Sequence, residues 1–329
     1  MTLMLTRVLT ALLAAGALLA VPAARAQGAA DYPSRPLKII VPFAPGGATD
    51  VLARMVGAKL TESWGQQVVV ENRPGAGGNI GAEAGARAAP DGYTLTLAAA
   101  GFMAVNPSVY AKLPYDSVKD FAPVSLLVKA PLLLVTNSTL PARTLKELID
   151  FAKANPGKLN IGNGGAGTAQ HLGGEFFTSA AGISAVHIPY KGSAPATNDL
   201  LGGVFHAQFD NMVTLIPHVK AGKIRPLAVS SLKRVAILPD VPTMAESGLP
   251  GFETGTWYGI VAPAATPAPV VDKLNREINR ILALPDIAEK LNAMGLQAAP
   301  ITPAQFGDFI RSEITSYARV VKSANIKVE

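Results

Sequence analysis

Length, composition and charge exclude several classes of protein. The chain has 329 residues, of which 49% are hydrophobic and 16% charged, so it predicts a folded protein of one large or two medium domains. It contains no Cys, which excludes disulfides, iron–sulfur clusters and cysteine-ligated zinc. The net charge of +6 comes from scattered Lys and Arg residues, which argues against a nucleic-acid partner.

Residues 1–26 have the pattern of a cleaved secretory signal peptide. Arg7 supplies a positive charge, residues 8–21 are apolar, and Ala24-Arg25-Ala26 is a small-residue cleavage pattern before Gln27. The apolar stretch is shorter than the roughly 20 residues that cross a bilayer as a helix. We therefore expect an exported, soluble mature chain that begins near Gln27.

In the mature chain, short apolar runs alternate with amphipathic segments. Strands are expected at residues 37–43, 68–70, 94–98, 124–128, 132–135, 159–162, 186–190, 206–209, 226–230 and 257–262. Helices are expected between them, and two more close the chain, the second beginning at Thr302-Pro303. This alternation predicts an α/β fold with mixed, mostly parallel sheets flanked by helices. About 300 residues exceed the usual size of one core, so we expect two domains.

The first loop with a chemical signal is Phe43-Ala44-Pro45-Gly46-Gly47-Ala48-Thr49-Asp50. Its glycines let the backbone approach a ligand, and the following helix directs free N–H groups to the same point. Such a helix start would suit a carboxylate or phosphate. Thr49 can donate a hydroxyl, and Asp50 can cap the helix. An ordinary capped glycine turn explains the pattern equally well.

The second loop, residues 162–168, reads Gly-Asn-Gly-Gly-Ala-Gly-Thr and formally fits the dinucleotide-binding pattern G-x-G-x-x-G. That pattern also needs an acidic residue about 20 positions later, and residues 186–192 contain none. We therefore expect no dinucleotide cofactor. A small-anion site at this helix start remains compatible with the sequence.

The remaining polar residues do not form a recognisable catalytic or metal site. His171 and Glu175 have the spacing of paired metal ligands, but no third ligand lies near them in the sequence, so no metal is expected. The motifs of serine hydrolases, zinc proteases and P-loop proteins are absent from the sequence. Asp210 ends a predicted strand, where it could face a ligand or cap a helix over residues 211–220. The chain is thus not expected to be an enzyme.

Together, these loops and several other segments resemble the Bug family, the solute-binding receptors of tripartite tricarboxylate transporters. The matching segments are 32–36, 41–50, 71–81, 91–94, 106–116, 163–172, 190–201, 238–243 and 257–259. The resemblance implies a two-domain periplasmic-binding-protein-like fold of type II, which closes on its ligand as a Venus flytrap. Residues 27–128 plus 253–329 would form domain 1, and residues 129–252 would form domain 2.

The resemblance also implies a ligand and its partners. The ligand would be a small carboxylate, such as a di- or tricarboxylate, an acidic amino acid or an aromatic acid, held mainly by backbone amides and hydroxyls of the two glycine loops. The expected ligand-binding residues are Phe43, Gly46, Gly47, Ala48, Thr49, Asp50, Phe102, Asn163, Ala166, Gly167, Thr168, His171 and Asp210.

The partners implied are membrane permease subunits, and the receptor itself would be a monomer in the periplasm of a Gram-negative bacterium. A ligand-sensing receptor for signalling is the alternative, and an exported enzyme is a weaker one.

Overall fold

The computed structural model describes residues 31–323, so the predicted signal peptide lies outside the described residues. Its strands are β1 (Leu37–Val41), β2 (Val68–Asn72), β3 (Thr94–Ala99), β4 (Phe121–Asn137), β5 (Leu159–Asn163), β6 (Ala185–Pro189), β7 (Ala207–Asn211), β8 (Ile224–Val229), β9 (Gly255–Pro263) and β10 (Gln297–Ala298). Every segment predicted as a strand overlaps one of these strands, with ends shifted by a few residues, and β10 has no predicted counterpart.

The helices are α1 (Ala48–Trp64), α2 (Asn79–Ala86), α3 (Asn106–Val109), α4 (Leu145–Ala154), α5 (Ala169–Ala181), α6 (Ser193–Leu201), α7 (Met212–Lys220), α8 (Ala268–Leu282), α9 (Pro285–Ala293) and α10 (Pro303–Ser323). A π-helical turn, Gly101–Val105, precedes α3. Within residues 31–323, no helix is both long and apolar enough to cross a membrane.

The strands form one mixed sheet in the order β2-β1-β3-β9-β4-β7-β5-β6, with β8 and β10 also paired to β4. The outer pairs β1–β2, β1–β3, β5–β6 and β5–β7 are parallel, whereas β9 and β4 pair antiparallel with their neighbours. We call β2, β1, β3 and β9 the first sheet half, and β7, β5, β6 and β8 the second. The α/β fold class with a mixed sheet and flanking helices is confirmed. The pairs are not mostly parallel as expected, because β4 and β9 pair antiparallel with every neighbour.

Strand β4 joins the two halves and is longer than predicted. The sequence predicts two strands, at residues 124–128 and 132–135, and Pro131 between them lacks the N–H group that a ladder needs. The structure instead has one 17-residue strand that changes partners at this proline: Pro131 pairs with Gly255 of β9, and Leu132 pairs with Asn211 of β7. Pro131 has no backbone N–H group to donate. This is tolerated because β4 changes there from pairing with β9 to pairing with β7.

Helices cover both faces of the second half, which explains its continuous apolar strands. Leu132 and Leu134 of β4 pack with α4 and α5, whereas Leu133 and Val135 pack with α6 and α7. Side chains that alternate along a strand point to opposite faces, so an uninterrupted run of apolar residues is expected where both faces are buried. This arrangement brings the carboxyl ends of β5 and β7 next to the starts of α5 and α7.

The predicted helix boundaries are mostly confirmed. Thr144 caps α4, since its hydroxyl accepts from the N–H of Glu147 at 3.2 Å. Thr302 caps α10, accepting from the N–H of Gln305 at 3.3 Å. The chain closes with three helices where two were predicted, because Pro285 begins the additional helix α9 directly after α8.

Candidate functional site

A narrow cavity lies between the two sheet halves, where strands end and helices begin. Its lining comprises Phe43, Gly47, Ala48, Thr49, Ala99, Gly101, Gly164, Thr168, Gln170, Ser193, Asn211, Thr256 and Tyr258. The centres of water molecules can occupy only about 20 Å³ of it, which is room for about one water. In this form the cavity is therefore too small for a ligand of several carbon atoms.

The start of α1 faces this cavity with unused hydrogen-bond donors. Gly47 is the N-cap, and the N–H groups of Ala48, Thr49 and Asp50 have no acceptor within residues 31–323. Thr49 is only 5% exposed, and its hydroxyl makes no hydrogen bond in the described part of the chain. This helix start therefore offers N–H and O–H donors at a single point.

Three helices of the second half also begin at the cavity. Thr168 is the N-cap of α5, Ser193 is the first residue of α6, and Asn211 is the N-cap of α7. Each helix start carries roughly half a positive charge from aligned peptide dipoles. No charged side chain lines the cavity among the described residues. The site therefore favours an anion through backbone dipoles rather than through ion pairs.

The hydroxyl of Thr168 is already committed inside the protein. It donates to the carbonyl oxygen of Gly165 at 2.7 Å and accepts from the N–H of His171 at 3.2 Å. Thr168 therefore shapes the second glycine loop and caps α5. Its side chain is not a free donor for a ligand, in contrast to that of Thr49.

A buried polar network around Asp210 contacts two of the residues that line the cavity, Ser193 and Asn211. Asp210 is fully buried, and it accepts hydrogen bonds from the hydroxyl of Ser193 at 2.7 Å and from the side chain of Gln208 at 3.0 Å. Burial raises the pKa of Asp210, although these hydrogen bonds oppose the shift. Burial also raises the pKa of Tyr258, and the nearby Asp210 adds to that shift. Asp210 thus positions Ser193 rather than lining the cavity itself.

Five of the residues expected from the sequence line the cavity, namely Phe43, Gly47, Ala48, Thr49 and Thr168. The remaining expected residues, Gly46, Asp50, Phe102, Asn163, Ala166, Gly167, His171 and Asp210, lie around it. Phe102 is buried in the π-helical turn, against Tyr115. His171 lies behind the second loop, where its Nδ1 accepts from the N–H of Gly167 at 3.3 Å and its Nε2 is 3.6 Å from Glu175.

Asp50 does not cap α1, contrary to one expectation from the sequence. Its carboxylate accepts from the N–H of Gly46 at 3.1 Å, from Arg54 at 2.9 and 3.0 Å, and from Asn72 at 3.0 Å. Burial alone would raise its pKa, but the hydrogen bonds from Arg54, Gly46 and Asn72 and the charge of Arg54 hold the pKa below its usual range. Asp50 therefore fixes the shape of the first glycine loop from behind.

The stability contributed by Asp50 should depend on pH. Because its pKa is lower in the folded than in the unfolded chain, its contribution is present above the unfolded pKa of about 3.9 and is lost as the pH falls through the folded value. Denaturant unfolding of the wild type and Asp50→Asn at pH 7, 5, 4 and 3 measures this. The wild type should be more stable at pH 7, and the difference should shrink below pH 4. A difference that is constant with pH would mean that the charge of Asp50 does not contribute.

Sequence reasoning missed several cavity residues as ligand contacts: Ala99, Gly101, Gly164, Gln170, Ser193, Asn211, Thr256 and Tyr258. Ser193 and Asn211 do carry a signal, since each follows a predicted strand and stands at a helix start. Tyr258 carries no such signal, since it lies inside a predicted strand. Its place on β9 reaches the cavity only because β9 pairs between β3 and β4.

The two halves contact each other around the cavity. The N–H of Ala44 donates to the carbonyl oxygen of Lys191 at 3.0 Å, which links the first loop to the start of α6. A side chain at Gly77 would overlap the carbonyl oxygen of Ala166, and a Cβ at Gly101 would lie 3.0 Å from the Cα of Thr168. These close approaches require glycine and enclose the cavity.

Comparison with known proteins identifies the family. Residues 52–326 match the tripartite tricarboxylate transporter family receptor. The chain is also 42% identical to BugT of Bordetella pertussis (strain Tohama I) over 299 residues, which covers 91% of this chain and 92% of BugT. This chain belongs to the Bug family of tripartite tricarboxylate transporter receptors. The resemblance noted in the sequence is thereby confirmed.

Solved structures of similar proteins have the same fold as this receptor. The periplasmic binding protein BugD is 40% identical, with a TM-score of 0.87 over 90% of this chain and 99% of BugD. Rpa4515 of R. palustris with adipate is 38% identical, with a TM-score of 0.88 over 90% of this chain and 99% of Rpa4515. A periplasmic-binding-protein fold is therefore established for this receptor.

Proposed function

We propose that this receptor captures a small carboxylate in the periplasm, holds it chemically unchanged and delivers it to the permease subunits of a tripartite tricarboxylate transporter. The observation that carries the proposal is the convergence of four helix starts on one cavity without a charged side chain. Such a site attracts an anion. The adipate in the related Rpa4515 supports a carboxylate as the anion.

In this proposal the start of α1 holds one carboxylate group. The N–H groups of Ala48, Thr49 and Asp50 and the hydroxyl of Thr49 are the unused donors there. Hydrogen bonds to a charged acceptor are each worth about 1.5–3 kcal/mol. Two or three of them, in a cavity from which water is largely excluded, supply most of the affinity that a small ligand needs.

The proposal also includes closure of two domains, residues 27–128 plus 253–329 and residues 129–252. The chain crosses between the sheet halves in β4 at Pro131 and again in the segment that leads to Gly255 of β9. These two neighbouring crossings suit a hinge, since a few residues at element ends can absorb the rotation. We further propose that the receptor acts as a monomer after a signal peptide has been removed.

A thermal-shift screen tests the carboxylate function. The panel contains di- and tricarboxylic acids, acidic amino acids and aromatic acids, each with its uncharged amide. A ligand at a hundredfold excess over its Kd stabilises the folded state by about 2.7 kcal/mol, which raises the melting temperature by several degrees. We expect stabilisation by at least one acid and not by its amide, and recovery of that acid unchanged by mass spectrometry. Equal binding of acid and amide would contradict the proposal, and conversion of the acid would indicate an enzyme.

A further inference from the structure

One of the residues that line the cavity carries a buried hydrogen-bond acceptor that no described residue satisfies. Asn211 ends β7, lines the cavity and is only 1% exposed. Its Oδ1 atom has no hydrogen-bond partner among the described residues. A buried acceptor without a donor is unfavourable, so an unpaired one in a binding cavity indicates a group that a ligand completes.

The orientation of the Asn211 amide is determined by its neighbours. Its Nδ2 donates to the hydroxyl oxygen of Ser193 at 3.0 Å and to Asp210 at 2.8 Å. The reversed orientation would place Oδ1 against Asp210 and against the oxygen of Ser193, whose own proton is already donated to Asp210 at 2.7 Å. Two acceptors would then face each other without a proton between them. The network therefore leaves Oδ1 as the unpaired atom of this amide, on a residue that lines the cavity.

An ionised carboxylate cannot satisfy this atom, because both groups only accept hydrogen bonds. The donors of α1 and the acceptor of Asn211 are thus complementary to different groups of one ligand. We propose that Asn211 selects carboxylates that also carry a hydrogen-bond donor, such as a hydroxyl or amino group, near the carboxylate. This inference rests on the proposed function and narrows its substrate class.

Matched ligand pairs that differ by one donor test the inference. Succinate is compared with malate and with aspartate, and phenylacetate with mandelate, by isothermal titration calorimetry on the wild-type receptor. The acids that carry a donor should bind at least about tenfold more tightly than the acids without one, because the latter leave Oδ1 unpaired. Equal affinities within every pair would overturn the inference, for instance through a bridging water, while leaving carboxylate binding intact. The same comparison is made for the acid found by thermal shift and its analogue with or without the donor. A panel in which no acid binds would contradict the proposed function, whereas equal affinities within the pair would contradict only the inference.

Two variants assign the preference to Asn211. Asn211→Leu has a similar size but no acceptor, so the ratio of affinities within a pair should fall to about one. Asn198→Leu makes the same substitution at an exposed position of α6 and should leave the ratio unchanged. A preference that persists in Asn211→Leu would overturn the role of this residue. If Asn211→Leu does not fold, as shown by circular dichroism, Asn211→Ala takes its place in the comparison.

Discussion

Thr49→Asp should weaken carboxylate binding by about a thousandfold. Thr49 lies in the first turn of α1, and its side chain lines the cavity where we place the ligand carboxylate. Two carboxylates about 4 Å apart repel each other by about 4 kcal/mol at the effective dielectric of a partly buried site, which corresponds to about three orders of magnitude in Kd. The fold should persist, since an acidic residue in the first turn of a helix is favourable. Calorimetric titration with the acid found by thermal shift measures the loss.

Thr49→Asn is the matched control for this charge. Asn has nearly the shape of Asp without its negative charge, and it retains a side-chain donor. It should weaken binding by about tenfold or less, the effect of exchanging one hydrogen-bond donor for another. Equal affinities of the Asp and Asn variants would place the ligand carboxylate away from the start of α1 and contradict the arrangement proposed above.

Gly77→Ala should reduce affinity by at least about a hundredfold, because it prevents the two halves from meeting. Gly77 belongs to the first half, and its added Cβ would overlap the carbonyl oxygen of Ala166 in the second. Overpacking against side chains costs about 1–3 kcal/mol, and rigid backbone leaves less freedom to relax. Small-angle scattering should show that the ligand reduces the radius of gyration of the wild type and not of this variant.

Gly65→Ala separates closure from backbone strain. Gly65 has φ = +66° and Gly77 has φ = +61°, so both substitutions force a side chain into the left-handed region. A Cβ at Gly65 would have no atom within 4 Å, however. Both variants should lose a similar amount of thermal stability, and only Gly77→Ala should lose affinity. Normal compaction and affinity in Gly77→Ala would show that closure does not bring these loops together.

The fold could be predicted from the sequence largely because its strands and helices are strongly patterned. The apolar run at Leu132–Val135 and the capping box at Thr144 each require only local information. The continuity of β4 through Pro131 could not be predicted in the same way. The continuity of β4 depends on β9 ending its pairing with β4, and β7 beginning it, at Pro131. Those pairings form only in the assembled sheet and leave no local pattern in the sequence.

The part of the candidate site that lies at helix starts could be predicted from the sequence. The loops around Gly47 and Thr168 could be recognised because glycines between a strand and a helix let the backbone approach a ligand. Asp50 and Asp210 have the sequence positions of ligand-facing residues, yet both turn into internal networks, since each finds hydrogen-bond donors within the protein. Asn211 differs from these two aspartates, because its side-chain oxygen accepts no hydrogen bond from the described residues. From the sequence alone, an asparagine at a helix start is interpreted as a cap. Only the hydrogen bonds of the folded chain reveal that its Oδ1 atom has no donor among the described residues.

The four helix starts have a consequence for how the receptor is emptied. One belongs to the first sheet half and three to the second, and all present partial positive charge to the same small space. Without an anion between them these ends repel one another, and with an anion they attract it from both sides. In the proposed function, an anion bound between them favours the closed form, because only that form brings helix starts of both halves to it. We therefore expect release of the carboxylate to a permease to favour reopening as well, without a separate trigger in the receptor.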